Sequence, residues 1–218
     1  MPALIPNRYL FKFEFPLNRC AKPPQINGDV SHWPETWQLP PLCTMDWQEP
    51  FGDVFVAWDE AGLYIGARVS GKRRPPHCDP QRFKNSDGLR VMTDMRDTRN
   101  IRRATRFCQQ FYFLPTGGGK SRNDPLADSA PVARAQTDAP MAKPGEILIA
   151  PKIVKGGYSL TAHIPAQILS GYDPVENPRI GLFAILEDTE LGHQSLTVGD
   201  DLNWWCDPST WPTAVLTP

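Results

Sequence analysis

The chain has 218 residues and a formal net charge of -1, long enough for one substantial core and too balanced in charge to coat nucleic acid. Its 24 prolines and 16 glycines disfavour long helices, while aromatic and β-branched residues crowd the intervals between them. No stretch approaches a membrane span in apolar length, and MPALIPNRYLFKFEFP lacks a basic lead, an unbroken apolar run and a small-residue cleavage site, so a cytoplasmic protein without membrane or nucleic-acid partners is expected.

The first element is RYLFKFEF, where Tyr9, Phe11, Phe13 and Phe15 alternate with Leu10, Lys12 and Glu14, the period of a half-buried edge strand. DVFVAWD and LYIGARVSG, separated by EAG, predict a hairpin with Leu63, Ile65, Ala67 and Val69 on one face. DGLRVMTD and RFCQQFYFLP follow as long neighbouring strands.

From 115 to 146 the sequence is rich in Gly, Pro, Ala, Ser and Asp and predicts a flexible loop or insertion, with only VARAQ resembling a short strand. ILIAPKIV, GGYSLTAHIP, a single helical turn at AQILSG, RIGLFAILED and TAVLT complete the series. The pattern predicts one all-β domain over 1–218, an antiparallel two-sheet sandwich of jelly-roll type.

Catalytic signatures are missing. GGGKS at Gly117 to Ser121 is no phosphate loop, because Leu114 stands where its first glycine belongs. The histidines are scattered and no GxSxG or HExxH run occurs, so no enzyme activity is expected. Cys20, Cys43, Cys78, Cys108 and Cys206 are odd in number without CxxC spacing and predict reduced thiols. Glu187-Asp188, Asp200-Asp201 and Asp29 could supply oxygen ligands to calcium, and ordinary turn chemistry explains them equally well. Between Arg68 and Arg106 stand twelve basic residues against four aspartates, which reads either as solvated hairpins or as a surface for an anionic ligand.

Six blocks in order, INGDVSHWP, VFVAWDEAGLYIGARVSGK, SDGLRVMTD, GGYSLTAHIPAQIL, RIGLFAILED and WWCDPSTW, resemble the family-9 carbohydrate-binding modules and the broader DOMON-like sandwiches. The likeness runs from Ile26 to Leu216 around a longer segment near 98–146. It implies a non-catalytic module that holds a sugar ring between two aromatic side chains. Trp205, in the W-x-D-P context Trp205-Cys206-Asp207-Pro208, matches one platform, with Asn203 beside it. Trp204 is then the inward neighbour and Trp211 a core residue at the start of the last strand.

Phe83 is the nearest aromatic to the second platform position, and Arg90 falls where the family carries an acid, so an anionic or reducing-end sugar is the expected ligand. Two other readings remain open on the sequence. A DOMON-like domain would hold haem through Met92 or Met95 with His163, and a structural sandwich that had lost its ligand would bind a protein partner.

Overall fold

Side-chain alternation decides which residues meet between the sheets. The computed structural model describes residues 13–40, 49–197 and 202–218. Tyr9, Phe11, Cys43 and the Asp200-Asp201 pair lie outside the described residues. Strands β1 (Glu14–Asn18), β4 (Gly88–Asp94), β5 (Cys108–Gly118), β6 (Asp124–Ala130), β9 (Arg179–Asp188), β10 (Gly192–Ser195) and β11 (Thr213–Thr217) form the larger sheet. Its order is β1-β11-β9-β4-β5-β6, with β10 also paired to β9. Strands β2 (Gly52–Asp59), β3 (Gly62–Ser70), β7 (Leu148–Val154) and β8 (Gly157–Pro165) form the smaller one, in the order β2-β3-β8-β7. The described ladders are antiparallel except β1 with β11, which run parallel.

Leu63, Ile65, Ala67 and Val69 of β3 point inward together with Tyr158, Leu160, Ala162 and Ile164 of β8. Leu89 and Val91 of β4, Phe111 and Phe113 of β5, and Leu182, Ala184 and Leu186 of β9 meet them from the other sheet. Each buried Val, Leu, Ile or Phe among them contributes roughly 1.5 to 3 kcal/mol. The predicted two-sheet sandwich is therefore the observed one, with β1 on an edge as expected.

Both outer faces carry a further apolar layer. On the smaller sheet Cys20, Val30 and Trp33 cover Phe55, Ala57 and Tyr64. Gly66 permits this approach, since a Cβ there would stand 2.9 Å from both Trp33 and Val30. On the larger sheet Ala104, Val132, Trp204 and Trp211 cover Met92, Cys108, Phe183 and Ile185.

The segment 115–146 differs from its compositional reading. Its first part extends β5 to Gly118, and Asp124–Ala130 pairs with β5 as an edge strand, while VARAQ forms turns instead. An edge position accommodates Pro125, and the free backbone groups of β5 outweigh the weak strand propensity of DPLADSA. AQILSG runs as successive turns, with Ile168 N–H to Pro165 O at 3.0 Å and Leu169 N–H to Ala166 O at 3.2 Å.

A buried ion cluster ties the sheets together. Lys72, just beyond β3, donates to Asp87 at 2.8 Å and to Asp188 at 2.6 Å. All three side chains are at most 1% exposed. Asp87 also accepts from the backbone N–H groups of Thr189 at 2.7 Å and His77 at 3.0 Å. Burial alone would raise its pKa, but the Lys72 ammonium and these N–H groups hold it below the usual carboxylate value.

This sign sets the pH response. A carboxylate with a lowered folded pKa adds stability that is complete above its unfolded value and is lost as the pH falls through the folded one. Lys72→Met reverses the case by leaving two buried carboxylates without a cation. It should cost about 3 to 5 kcal/mol at about pH 7 and recover part of that loss toward about pH 5, as the carboxylates take up protons. Urea melts of both proteins across that range check this, and parallel pH profiles would show that the cluster does not carry the load.

Candidate functional site

The outer face of the larger sheet is set by three strands in register. Tyr112 pairs with Arg90 and Arg90 with Ile185; one pleat along, Gln110 pairs with Met92 and Met92 with Phe183. Because Leu89, Val91, Phe111 and Phe113 point inward, Arg90, Met92, Gln110 and Tyr112 point outward.

Arg90 is buried at 5% exposure, and its guanidinium forms a two-pronged pair with Glu187 of β9 at 2.6 and 2.5 Å. Its Cζ also stands 4.9 Å from the ring centroid of Trp204. Burial pushes the Glu187 carboxyl above its usual pKa, against the opposing pull of Arg90. The arginine expected to meet an anion thus already has one inside the protein.

The same holds for much of the basic segment, whose charges are dispersed. Arg68 meets Asp53, Lys72 meets Asp87 and Asp188, and Arg96 donates to the Gly171 carbonyl. Asp53, Asp188 and Gly171 lie outside the segment, so a count of charges within it does not include them, whereas Asp87 lies inside it.

Trp204 to Cys206 form a turn rather than a strand, so strand alternation does not govern these tryptophans. Trp204 is 4% exposed and stacks on Phe183 with centroids 4.8 Å apart at 21°. It is buried, as expected, but on the outer face of the sheet and not between the sheets. Trp205 is half-buried, with Arg134 Cζ 5.0 Å from its ring centroid. Asn203 is exposed, and its carbonyl accepts the N–H groups of Cys206 at 3.0 Å and Asp207 at 2.9 Å.

The W-x-D-P residues have a local structural task. Asp207 caps the short 3-10 helix Pro208–Thr210 by accepting from Ser209 N–H at 3.0 Å, with Pro208 in the first helical position. Trp211 is fully buried and donates its indole N–H to the Trp204 carbonyl at 2.8 Å.

Phe83 lies in the 3-10 segment Pro80–Asn85 and stacks on Tyr112, with centroids 4.3 Å apart at 14°. Lys84 Nζ stands 5.8 Å from the Phe83 centroid. Beside this stack opens a cavity of about 340 Å³ lined by Lys84, Asn85, Glu187, Thr189 and His193 among others. The cross-strand pairing of His193 with Glu187 brings β10 to its wall.

Two buried donors on this face have no acceptor, the Trp204 indole Nε1 and the Gln110 amide Nε2. Buried groups are normally paired, so such exceptions call for an explanation. Sequence reading missed Gln110, Tyr112, Lys84 and His193. Period-two alternation held the signal for the first two, because Gln110 and Tyr112 fall opposite Phe111 and Phe113.

Other expected ligands are not brought together. Met92 lies on the outer face of the larger sheet and Met95 in the inter-sheet core. His163 stacks on Tyr64 at 4.6 Å on the outer face of the smaller sheet, across the sandwich from Met92 and outside the inter-sheet core that holds Met95. Nor does calcium suit Glu187-Asp188, whose carboxylates are occupied by Arg90 and Lys72. Among the described residues no group of three or more His, Cys, Asp or Glu side chains is placed to hold a metal.

No known family profile matches the sequence, and no curated protein matches it. The fold is nevertheless that of a two-sheet β-sandwich like the family-9 carbohydrate-binding modules. A module of that family from Caldicellulosiruptor kristjanssonii in complex with cellotriose is 14% identical, with a TM-score of 0.62 over 94% of this chain and 93% of that one. Its glucose complex gives 14% and 0.63 over 94% and 95%. A Bacteroides uniformis protein described as a candidate for carbohydrate binding gives 12% and 0.60 over 94% and 99%. At these identities the likeness is one of fold.

The two adjacent tryptophans should separate on mutation. Trp204→Ala removes a buried indole and is expected to cost about 3 to 5 kcal/mol, whereas Trp205→Ala should stay within about 1 kcal/mol. Chemical denaturation of the two variants measures this difference, and a severe loss at Trp205 would reverse the assignment of platform and core.

Proposed function

We propose that the protein is a non-catalytic carbohydrate-binding module whose ligand lies on the outer face of the larger sheet, between the half-buried rings Phe83 and Trp205. The observation that carries this reading is the stack of half-buried Phe83 on Tyr112, in the segment that also supplies Lys84 and Asn85 to the adjoining cavity. The fold shared with sugar-bound modules supports the same reading.

An acidic sugar would meet Lys84 at the mouth of the cavity. Glu187 in its lining is held by Arg90, and Asp188 by Lys72, which it shares with Asp87. Lys84 also acts electrostatically on Glu187.

Magnitudes support that choice. One ring face stacked on an aromatic contributes about 2 kcal/mol, and two or three net hydrogen bonds about 1 kcal/mol each. Together they correspond to roughly millimolar binding. A contact from Lys84 to a carboxylate or sulfate adds about 1.5 to 3 kcal/mol and brings affinity to roughly tens of micromolar.

Calorimetric titration with neutral, uronic-acid and sulfated oligosaccharides, at low and high salt, tests the proposal. Phe83→Ala and Trp205→Ala should remove binding. Lys84→Gln should remove the preference for the acidic ligand and its salt dependence while keeping neutral binding. A panel in which no sugar binds would overturn the reading.

A further inference from the structure

The opposite face of the sandwich carries a second aromatic site. Trp33 lies against Gly66 of β3, fixed on its other flank by Phe55 at a centroid distance of 6.4 Å. Trp37, in the 3-10 turn Glu35–Trp37, meets Trp33 at 81° with centroids 5.5 Å apart. Two indoles at nearly a right angle make a corner. That corner opens into a cavity of about 400 Å³, walled by Pro24 and Pro34 and rimmed by Gln25, Asn27 and His32.

The lining specifies a class of ligand. Neither indole N–H has a protein acceptor among the described residues. Asp29, the carboxylate in the lining, accepts from Lys152 at 2.6 Å and from Ser31 N–H at 2.9 Å, so it presents little uncompensated charge. Lys22 stands exposed at the rim, and the remaining groups besides His32 carry no formal charge. The Gln25 side-chain amide offers a donor and an acceptor side by side, the arrangement that adjacent hydroxyls of a sugar require, and Asn27, whose Oδ1 accepts from Asp29 N–H at 3.0 Å, adds its amide donor. An indole corner supplies an apolar floor and wall for the C–H faces of the same ring.

We propose that the Trp33–Trp37 corner is a second binding site, for a single neutral pyranose unit. It shares no lining residue with the cavity of the larger sheet. One protein molecule can therefore engage two glycan segments at once, and on a dense polysaccharide the second contact becomes an effectively intramolecular event that raises avidity without any new chemistry.

Indole N–H resonances of the full chain, followed by NMR during titration with cellotriose, xylotriose and mannotriose, test this. At least one sugar should shift the Trp33 and Trp37 signals saturably. Trp37→Ala should weaken that process at least about tenfold while leaving thermal stability within a few degrees of the parent. The double variant Phe83→Ala/Lys84→Gln should retain it, so that loss of the larger-sheet site and loss of this one are read separately. Absence of sugar-dependent shifts at Trp33 and Trp37, or shifts produced by a proline-rich peptide and by no sugar, would overturn the proposal.

Discussion

The arrangement of the site depends on one buried ammonium. Lys72 follows the end of β3 in the smaller sheet and lands between Asp87, which immediately precedes β4, and Asp188, which closes β9. Burying three charges is costly, and the cluster is viable because the carboxylate oxygens not held by Lys72 find backbone N–H donors. Cavity residues adjoin it in sequence: Ser86 precedes Asp87, and Glu187 and Thr189 flank Asp188. The same contacts that hold the sheets together therefore fix the cavity walls.

Much of the fold was legible because alternation is a strong signal wherever one strand face is buried. LYIGARVS placed Leu63, Ile65, Ala67 and Val69 together on one face, as observed. Arg90 and Glu187 could have been paired by the same logic, since each falls opposite to inward neighbours on strands that prove adjacent. What the sequence concealed was strand order, which brings together residues 97 positions apart. Part of the local excess of positive charge is met in this way, by Glu187, Asp188 and Asp53 from outside the segment.

The closing tryptophans illustrate a different limit. Trp204 and Trp205 sit in a turn fixed by the Asn203 carbonyl and the Asp207 cap, where period-two reasoning has no footing. Burial of Trp204 came out as expected, yet its partner surface is the outer face of a sheet that composition alone cannot distinguish from the inner one. The segment Asp124–Ala130 shows the converse, a strand of poor intrinsic propensity held by the unsatisfied edge of β5.

The parallel pairing of β1 with β11 gives the sandwich a mechanical character. Tension drawing the start of β1 and the end of β11 apart would slide the two strands past each other, loading the five paired positions from Glu14↔Thr213 to Asn18↔Thr217 together. An antiparallel terminal pair under the same pull would open one rung at a time. Under such a load the lifetime of the fold is governed by its unfolding rate rather than by its equilibrium stability. Shear at this seam would slow that rate, since the five paired positions must part together.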